Sequence, residues 1–242
     1  MPAAPAVTPE IVRSLAPPGT LRVALNLGNV VLVQGTPAAP TGVTVDLSRE
    51  LARRLGVPVA LNSFASPGES FENFRAQDLD IVFLAVEPAR AEQIDFTAPY
   101  VLIQGVYMVP EDSPLRSVAD VDRPGVRIGV TRKAAYELYL TRTLRHAGLV
   151  RAEDGVAAFL EQGLEAAAGV RQAIVASARA LPRMRVIDEP FMEIRQAMGT
   201  QKGREAGYRY LRAFVEEMKA SGFVADALRR ANQPEATVAP PA

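Results

Sequence analysis

The strongest constraint on the fold is the alternation of short apolar segments with amphipathic ones along the chain. In the first such series, Leu47, Leu51 and Leu55 recur every fourth residue, and Gly56 follows them as a helix stop. Strands are predicted at residues 21–25, 57–61 and 80–85, and helices at 42–56 and 69–76. Strands separated by helices are typical of a parallel sheet with helical crossovers.

A second series of the same kind follows after residue 125. Its predicted strands are 126–130, 148–151, 166–169 and 184–187, and its predicted helices are 134–145, 156–162 and 171–180. A last helix carries Leu211, Phe214, Val215 and Met218 on one face and ends before Gly222. Because the two series are of similar size and no tandem repeat accompanies them, we predict two α/β lobes.

Composition excludes several classes of function. The chain has 242 residues, 27 Lys and Arg against 27 Asp and Glu, one histidine and no cysteine. This length suffices for one or two domains with a real core. Zero net charge argues against a nucleic-acid partner. With His146 alone and no thiol, a multi-histidine metal site or a Ser-His-Asp triad is not expected, so we predict no metal, no cofactor and no catalytic residue.

The two ends of the chain are rich in proline and alanine. We expect residues 1–19 and 233–242 to be flexible. No apolar run reaches the roughly 18 residues of a membrane span, and the first residues lack the basic and apolar regions of a signal peptide. The expected location is therefore the periplasm if an export signal was removed, and the cytoplasm otherwise.

Three stretches carry a family resemblance: GVTVDLSRELARRLGV at 42–57, DLDIVFLAVEPARAEQIDFTAPY at 78–100 and PGVRIGV at 124–130. They resemble the family-3 extracellular solute-binding proteins of ABC transporters, of the amino-acid-binding type. The resemblance extends over about residues 21–228. Its most specific part is the spacing from Arg90 to Tyr100, which is intact.

The resemblance implies the type 2 periplasmic binding protein fold, with two Rossmann-like α/β/α lobes joined by two crossover strands. Lobe 1 would comprise residues 20–107 and 196–232, and lobe 2 residues 108–195. A small ligand would be held in an interlobe cleft, and the protein, a monomer, would deliver it to an ABC permease.

In lobe 1 the resemblance assigns the main binding role to Arg90, whose guanidinium suits a bidentate pair with a ligand carboxylate. Glu87 stands where the family usually has Thr or Ser, so the alternative is an internal pair between Arg90 and Glu87. The chain between Asp80 and Arg90 is about two residues shorter than is usual in the family, in the loop that commonly contacts the ligand. The residues Phe83, Leu84 and Ala85 therefore either form an apolar wall of the site or are simply the buried end of the strand. Asn26 and Asn29 contact the ligand or serve the turn after the first strand.

In lobe 2 the family's Gly-(Thr/Ser) pair corresponds to Lys133-Ala134, so the usual hydroxyl is lost. The candidate contacts there are Thr131, Lys133, Ala134 and Ala135, with Lys133 either a replacement cation or a solvated side chain. Tyr136 and Tyr139, on the helix after Lys133, either reach the cleft or lie at the rim or in the core, as helical tyrosines more often do.

Val170 stands where the family places the aspartate that binds a ligand ammonium. A valine cannot do this, and an unpaired buried charge is costly. Arg171, the next residue, either adds positive charge to the site or faces solvent. We therefore predict a small polar ligand, a carboxylate without an amine rather than an ordinary α-amino acid.

Two other functions fit the same sequence. One is a cytosolic ligand sensor or regulatory binding protein of the same fold. The other, less favoured, is a dehydratase-type enzyme, for which Glu87, Glu137 and Glu165 are the candidate acids or bases. Nothing in the sequence sets these glutamates in a pair.

Overall fold

The structure is a computed structural model that describes residues 4–242, and the chain divides into two compact units. Unit 1 comprises Met1–Leu102 and Arg195–Ala242, and unit 2 comprises Ile103–Ile194. The helices are α1 Pro9–Leu15, α2 Val43–Leu55, α3 Pro67–Ala76, α4 Pro88–Ala91, α5 Val118–Val121, α6 Ala135–Thr143, α7 Gly155–Gln162, α8 Arg171–Ala180, α9 Glu205–Ala220 and α10 Phe223–Arg230. The strands are β1 Leu21–Asn26, β2 Gln34–Thr36, β3 Ala39–Thr41, β4 Val59–Phe64, β5 Ile81–Ala85, β6 Ile94–Pro110, β7 Arg127–Thr131, β8 Gly148–Ala152, β9 Ala166–Val170, β10 Met184–Gln201 and β11 Thr237–Val238.

Unit 1 contains a sheet in the order β4-β1-β5-β10. Strands β4, β1 and β5 are parallel, and β10 runs antiparallel to β5, with Gln196 opposite Ala85. The leucine stripe of α2 is buried, and Gly56 ends this helix with a φ of 69° in the left-handed region. The alternating pattern of the first half of the sequence thus forms a parallel α/β sheet, as predicted.

Unit 2 repeats this plan with a sheet in the order β8-β7-β9-β6. Strand β7 is parallel to both neighbours, while β6 is antiparallel to β9, with Gly105 opposite Val170. The two long strands β6 and β10 each contribute residues to both units, so the chain passes from one unit to the other twice.

Each unit pairs an arginine with a carboxylate at the amino ends of its parallel strands. In unit 1, Asp80 is fully buried and accepts hydrogen bonds from Arg22 Nε at 3.0 Å and Arg204 Nη1 at 2.8 Å. In unit 2, Glu165 accepts from Arg127 Nε at 3.0 Å, but that pair is largely exposed. These ion pairs join neighbouring strands at the edge opposite the predicted site.

A contact between two glycines brings α7 against β7. A Cβ built on Gly155 would lie 2.7 Å from the backbone C and Cα of Val130, and one on Gly129 would meet the carbonyl oxygen of Gly155 more closely still. Backbone atoms cannot move aside as the end of a side chain can. The close approach of helix to strand therefore requires glycine at both positions.

We expect Gly155→Ala to lower the free energy of unfolding by about 2 kcal/mol, because the added methyl group overpacks the contact with β7. The matched control is Gly148→Ala in β8, where the nearest atom to an added Cβ is 4.0 Å away. Urea unfolding monitored by circular dichroism measures both. Equal stabilities of the two variants would contradict this account of the contact.

The segments 1–19 and 233–242, expected to be flexible, contain secondary structure in their described part. Helix α1 is capped by Thr8 and buries Leu15 against Gly207, whose backbone N–H donates to Ser14 Oγ at 3.0 Å. Strand β11 pairs with β6, Thr237 lying opposite Leu102. A proline-rich composition does not reveal these tertiary contacts of α1 and β11.

The boundaries between the units also lie earlier than predicted from the resemblance. They fall after Leu102 and after Ile194, against the limits 107 and 195 given for the two lobes. Among the described residues, no helix combines the length and the apolar character needed to cross a membrane.

Candidate functional site

The carboxyl ends of the parallel strands in unit 1 bring several predicted residues to one edge of the sheet. Asn26 ends β1, in register with Phe64 at the end of β4, and Ala85 ends β5. Side chains and loops at such edges commonly form ligand sites in open α/β sheets. The loop from Asn26 to Asn29 and the α4 segment after Ala85 both lie at this edge.

Arg90 lies on α4 and is buried in this region, and its side chain reaches back to the end of β5. Its side chain is only 4% exposed, and Nη1 donates to the carbonyl oxygen of Ala85 at 3.2 Å. Burial lowers the pKa of the Arg90 guanidinium to about 10, and the negative charge of Glu87 opposes that shift. The guanidinium therefore lies in a desolvated environment that already contains one carboxylate.

Glu87 is the N-cap residue of α4 and is 3% exposed. Its carbonyl oxygen accepts hydrogen bonds from Arg90 N at 3.0 Å and Ala91 N at 2.9 Å. This single turn of helix fixes Glu87 and Arg90 near each other.

The three residues predicted to form an apolar wall are all buried. Leu84 packs in a core cluster with Phe74 and Ile94, while the ring of Phe83 meets Tyr100 edge-on at a centroid distance of 5.8 Å. Ala85 lies beneath Arg90. The side chains of Leu84 and Phe83 are thus part of the hydrophobic packing of unit 1.

The two asparagines shape the loop after β1. Asn26 Oδ1 accepts from Gly28 N at 3.0 Å, and the Asn29 carbonyl accepts from Leu32 N at 3.0 Å and Val33 N at 2.9 Å. Among the described residues, Asn29 Oδ1 and Ser63 Oγ are buried without a hydrogen-bond partner. With the hydroxyl of Tyr100, three uncharged polar side-chain atoms in the described part of unit 1 have no hydrogen-bond partner.

Unit 2 presents its predicted residues at the ends of β7 and β9. Thr131 ends β7, and its hydroxyl accepts from Gly155 N at 3.3 Å. Lys133 is exposed and adopts a φ of 60°, which suits the glycine that the family has there. Ala134 and Ala135 are buried, Ala134 being the N-cap of α6.

Glu137 is a member of this region whose role the sequence did not predict. It is 4% exposed, and its Oε2 accepts from Lys133 N at 3.2 Å. Its Oε1 accepts from Arg151 Nε at 2.7 Å and from the Thr141 hydroxyl at 2.8 Å. A glutamate in the first turn that reaches back toward the helix start is a capping pattern, which is the signal that would have revealed it.

Val170 and Arg171 lie at the start of α8. Val170 is its N-cap and offers no polar atom of its side chain. Arg171 donates from Nε to Gln104 Oε1 at 2.6 Å, and its Nη1 lies 3.6 Å from Asp188 Oδ1. Gln104 and Asp188 thus hold Arg171 within unit 2.

The remaining candidates have structural surroundings. Tyr139 stacks near Phe191, with ring centroids 6.2 Å apart, and Tyr136 packs against the same core cluster. The backbone N–H of His146 donates to Asp122 Oδ1 at 2.8 Å. Within residues 4–242 no cluster of histidine and acidic side chains could hold a metal ion.

The paired α/β units, with buried polar groups at their strand ends, define a protein of the type 2 periplasmic binding class. The sequence model of the bacterial extracellular solute-binding proteins, family 3, matches residues 31–231. The chain therefore belongs to this family, as the resemblance predicted.

Solved structures agree on the fold. One is the ancestral amino acid-binding protein AncCDT-1, a precursor of cyclohexadienyl dehydratase, with a TM-score of 0.74 and 20% identity over 90% of this chain and 97% of that one. Another is a P235GK mutant of ArgBP from T. maritima, with a TM-score of 0.75 and 19% identity over 92% and 99%. A histidine kinase sensor domain with similarity to periplasmic binding proteins has a TM-score of 0.76 and 17% identity over 91% and 98%. No curated protein matches the chain.

Proposed function

We propose that this chain captures a small polar solute for ABC-type uptake. The observation that supports this most is the buried Arg90 at the carboxyl end of β5, inside a family match that covers residues 31–231. The ligand would contact the strand ends of unit 1 around Arg90 and Asn29 and those of unit 2 around Thr131 and Ala134. That the ligand lies between two lobes stays a prediction, as do the permease partner and a periplasmic location.

The absence of an acidic residue at Val170 supports a ligand other than an ordinary α-amino acid. The side chain cannot offset an ammonium charge, and no such charge is tolerated in a dry site without a partner. AncCDT-1 is an amino acid-binding protein and ArgBP has been solved with arginine bound, so this chain would differ from both in its ligand.

A thermal-shift panel of α-amino acids, organic acids, carboxamides and polyols tests solute capture. A ligand at one hundred times its Kd stabilises the native state by about 2.7 kcal/mol, which is a clear rise in Tm. We expect at least one non-amino-acid compound to raise the Tm and the α-amino acids to leave it unchanged. A cooperatively folded chain that responds to no compound would contradict the proposal.

A sensor role is the second candidate, and the likeness to a histidine kinase sensor domain favours it. Solute capture would be shared by both roles, so the partner distinguishes them. Cross-linking of the native protein to a permease supports uptake, and cross-linking to a signalling protein supports sensing.

The dehydratase alternative has less support from the site. Two of its candidate residues are engaged elsewhere, Glu137 by Arg151 and Glu165 by Arg127. A general acid or base must reach the substrate, and these two carboxylates are held in ion pairs instead.

A further inference from the structure

At the strand ends of unit 1, the positive charge of Arg90 already has a carboxylate nearby, that of Glu87. Glu87 and Arg90 are separated by one turn of α4, and both side chains are almost fully shielded from water, at 3% and 4% exposure. The hydrogen bond from Arg90 N to Glu87 O fixes their spacing. Together the two side chains carry no net charge.

The same balance occurs in unit 2 at the start of α6. A helix start attracts anions because of its dipole and its exposed N–H groups. Here an internal carboxylate takes that place, since Glu137 Oε2 accepts from Lys133 N and Oε1 pairs with Arg151. A ligand anion would have to compete with Glu137 for this position.

Arg171, the remaining arginine among the candidates, also lies beside an acidic side chain, Asp188. Its Nε is bound to an uncharged acceptor, Gln104 Oε1. The three arginines Arg90, Arg151 and Arg171 thus each have an acidic neighbour of their own.

A ligand carboxylate would therefore bring an additional negative charge next to Glu87. Desolvating that charge is costly, and like charges in a buried site repel. Uncharged ligand groups avoid both costs. They also suit buried polar atoms of unit 1 such as Asn29 Oδ1 and Ser63 Oγ, which have no hydrogen-bond partner within residues 4–242 and can bond to a ligand N–H or hydroxyl.

We infer, on the basis of the proposed solute capture, that the ligand is an uncharged hydrogen-bonding molecule of the carboxamide or polyol class and that Glu87 excludes carboxylates. This differs from the carboxylate ligand predicted from Arg90 in the sequence alone. Glu87 is accordingly a residue that determines specificity.

Isothermal titration at pH 7 with matched acid and amide pairs tests this inference. The probes are succinate with succinamide and benzoate with benzamide. The variants are Glu87→Gln and Glu87→Thr. The threonine variant is the second choice if Glu87→Gln does not fold, because its hydroxyl can cap the helix. The control is Glu92→Gln, at an exposed position directly after α4.

We expect a Glu87 variant to bind at least one acid about tenfold or more tightly than the wild type and Glu92→Gln, whose affinities for both acids should be equally weak. Each variant is first shown to unfold cooperatively in urea. Tight acid binding by the wild type would overturn the inference but leave solute capture standing. Folded Glu87 variants that gain no acid binding would overturn it as well.

A third result separates this inference from the proposed function. If a Glu87 variant gains acid binding while the wild type responds to no compound of the wider panel, the role of Glu87 is supported and solute capture by the wild type is not.

Discussion

Replacing Arg90 with methionine is expected to lower the free energy of unfolding by about 3 kcal/mol, because it leaves the buried carboxylate of Glu87 without the positive charge beside it. Glu87 is 3% exposed and would be left in a desolvated place without the adjacent guanidinium. Urea unfolding at pH 7 measures the loss. Arg49→Met, at an exposed position of α2, is the control and should change stability by no more than about 0.5 kcal/mol.

A double-mutant cycle with Glu87→Gln isolates the interaction between the two side chains. We expect the double variant to be at least about 1.5 kcal/mol more stable than the sum of the two single losses predicts, because it removes both charges together. Additive losses would show that Arg90 and Glu87 do not compensate each other. The proposed charge compensation between Arg90 and Glu87 would then be wrong.

Asp80→Asn is expected to lower the free energy of unfolding by a similar amount, about 3 kcal/mol. The fully buried carboxylate of Asp80 accepts from Arg22 N, Arg22 Nε, Arg22 Nη2 and Arg204 Nη1. Asparagine keeps one acceptor atom and loses the charge that offsets two guanidinium groups. Chemical denaturation with a two-state fit measures the effect.

Glu165→Gln in unit 2 is the matched control for Asp80→Asn. Glu165 bonds to Arg127 in a similar way, but this ion pair is about 40% exposed, which weakens it through solvent screening. We expect less than a third of the loss found for Asp80→Asn. Equal losses would mean that the position at the strand start, rather than burial, determines the energy.

Most of the fold could be predicted from local pattern. The strand and helix signals of both series were strong because buried strands and leucine stripes leave clear periodicities. Helix α8, Arg171–Ala180, coincides with its prediction, and α2 differs from its prediction only at the ends. Helix α1, β11 and the hairpin of β2 and β3 were missed, because short elements are stabilised by contacts with distant residues such as Gly207 and Leu102.

The candidate site was less predictable than the fold. The motif identified Arg90 and its neighbour Glu87, and the i, i+3 spacing predicted that the two could pair. The partners of Arg171 were not predictable, since Gln104 and Asp188 are distant in sequence and meet it only in the folded unit. Such long-range contacts determine whether the guanidinium of an arginine is paired within the protein or remains available to a ligand.

Native mass spectrometry tests the central claim of solute capture most directly. The purified chain is incubated with the small-molecule ultrafiltrate of a bacterial lysate, and its mass is measured intact and after denaturation. The account predicts a bound mass that denaturation releases and that is identified as an uncharged polar compound. A folded chain that retains only its own mass, under conditions where a known binding protein loads its ligand, would contradict solute capture.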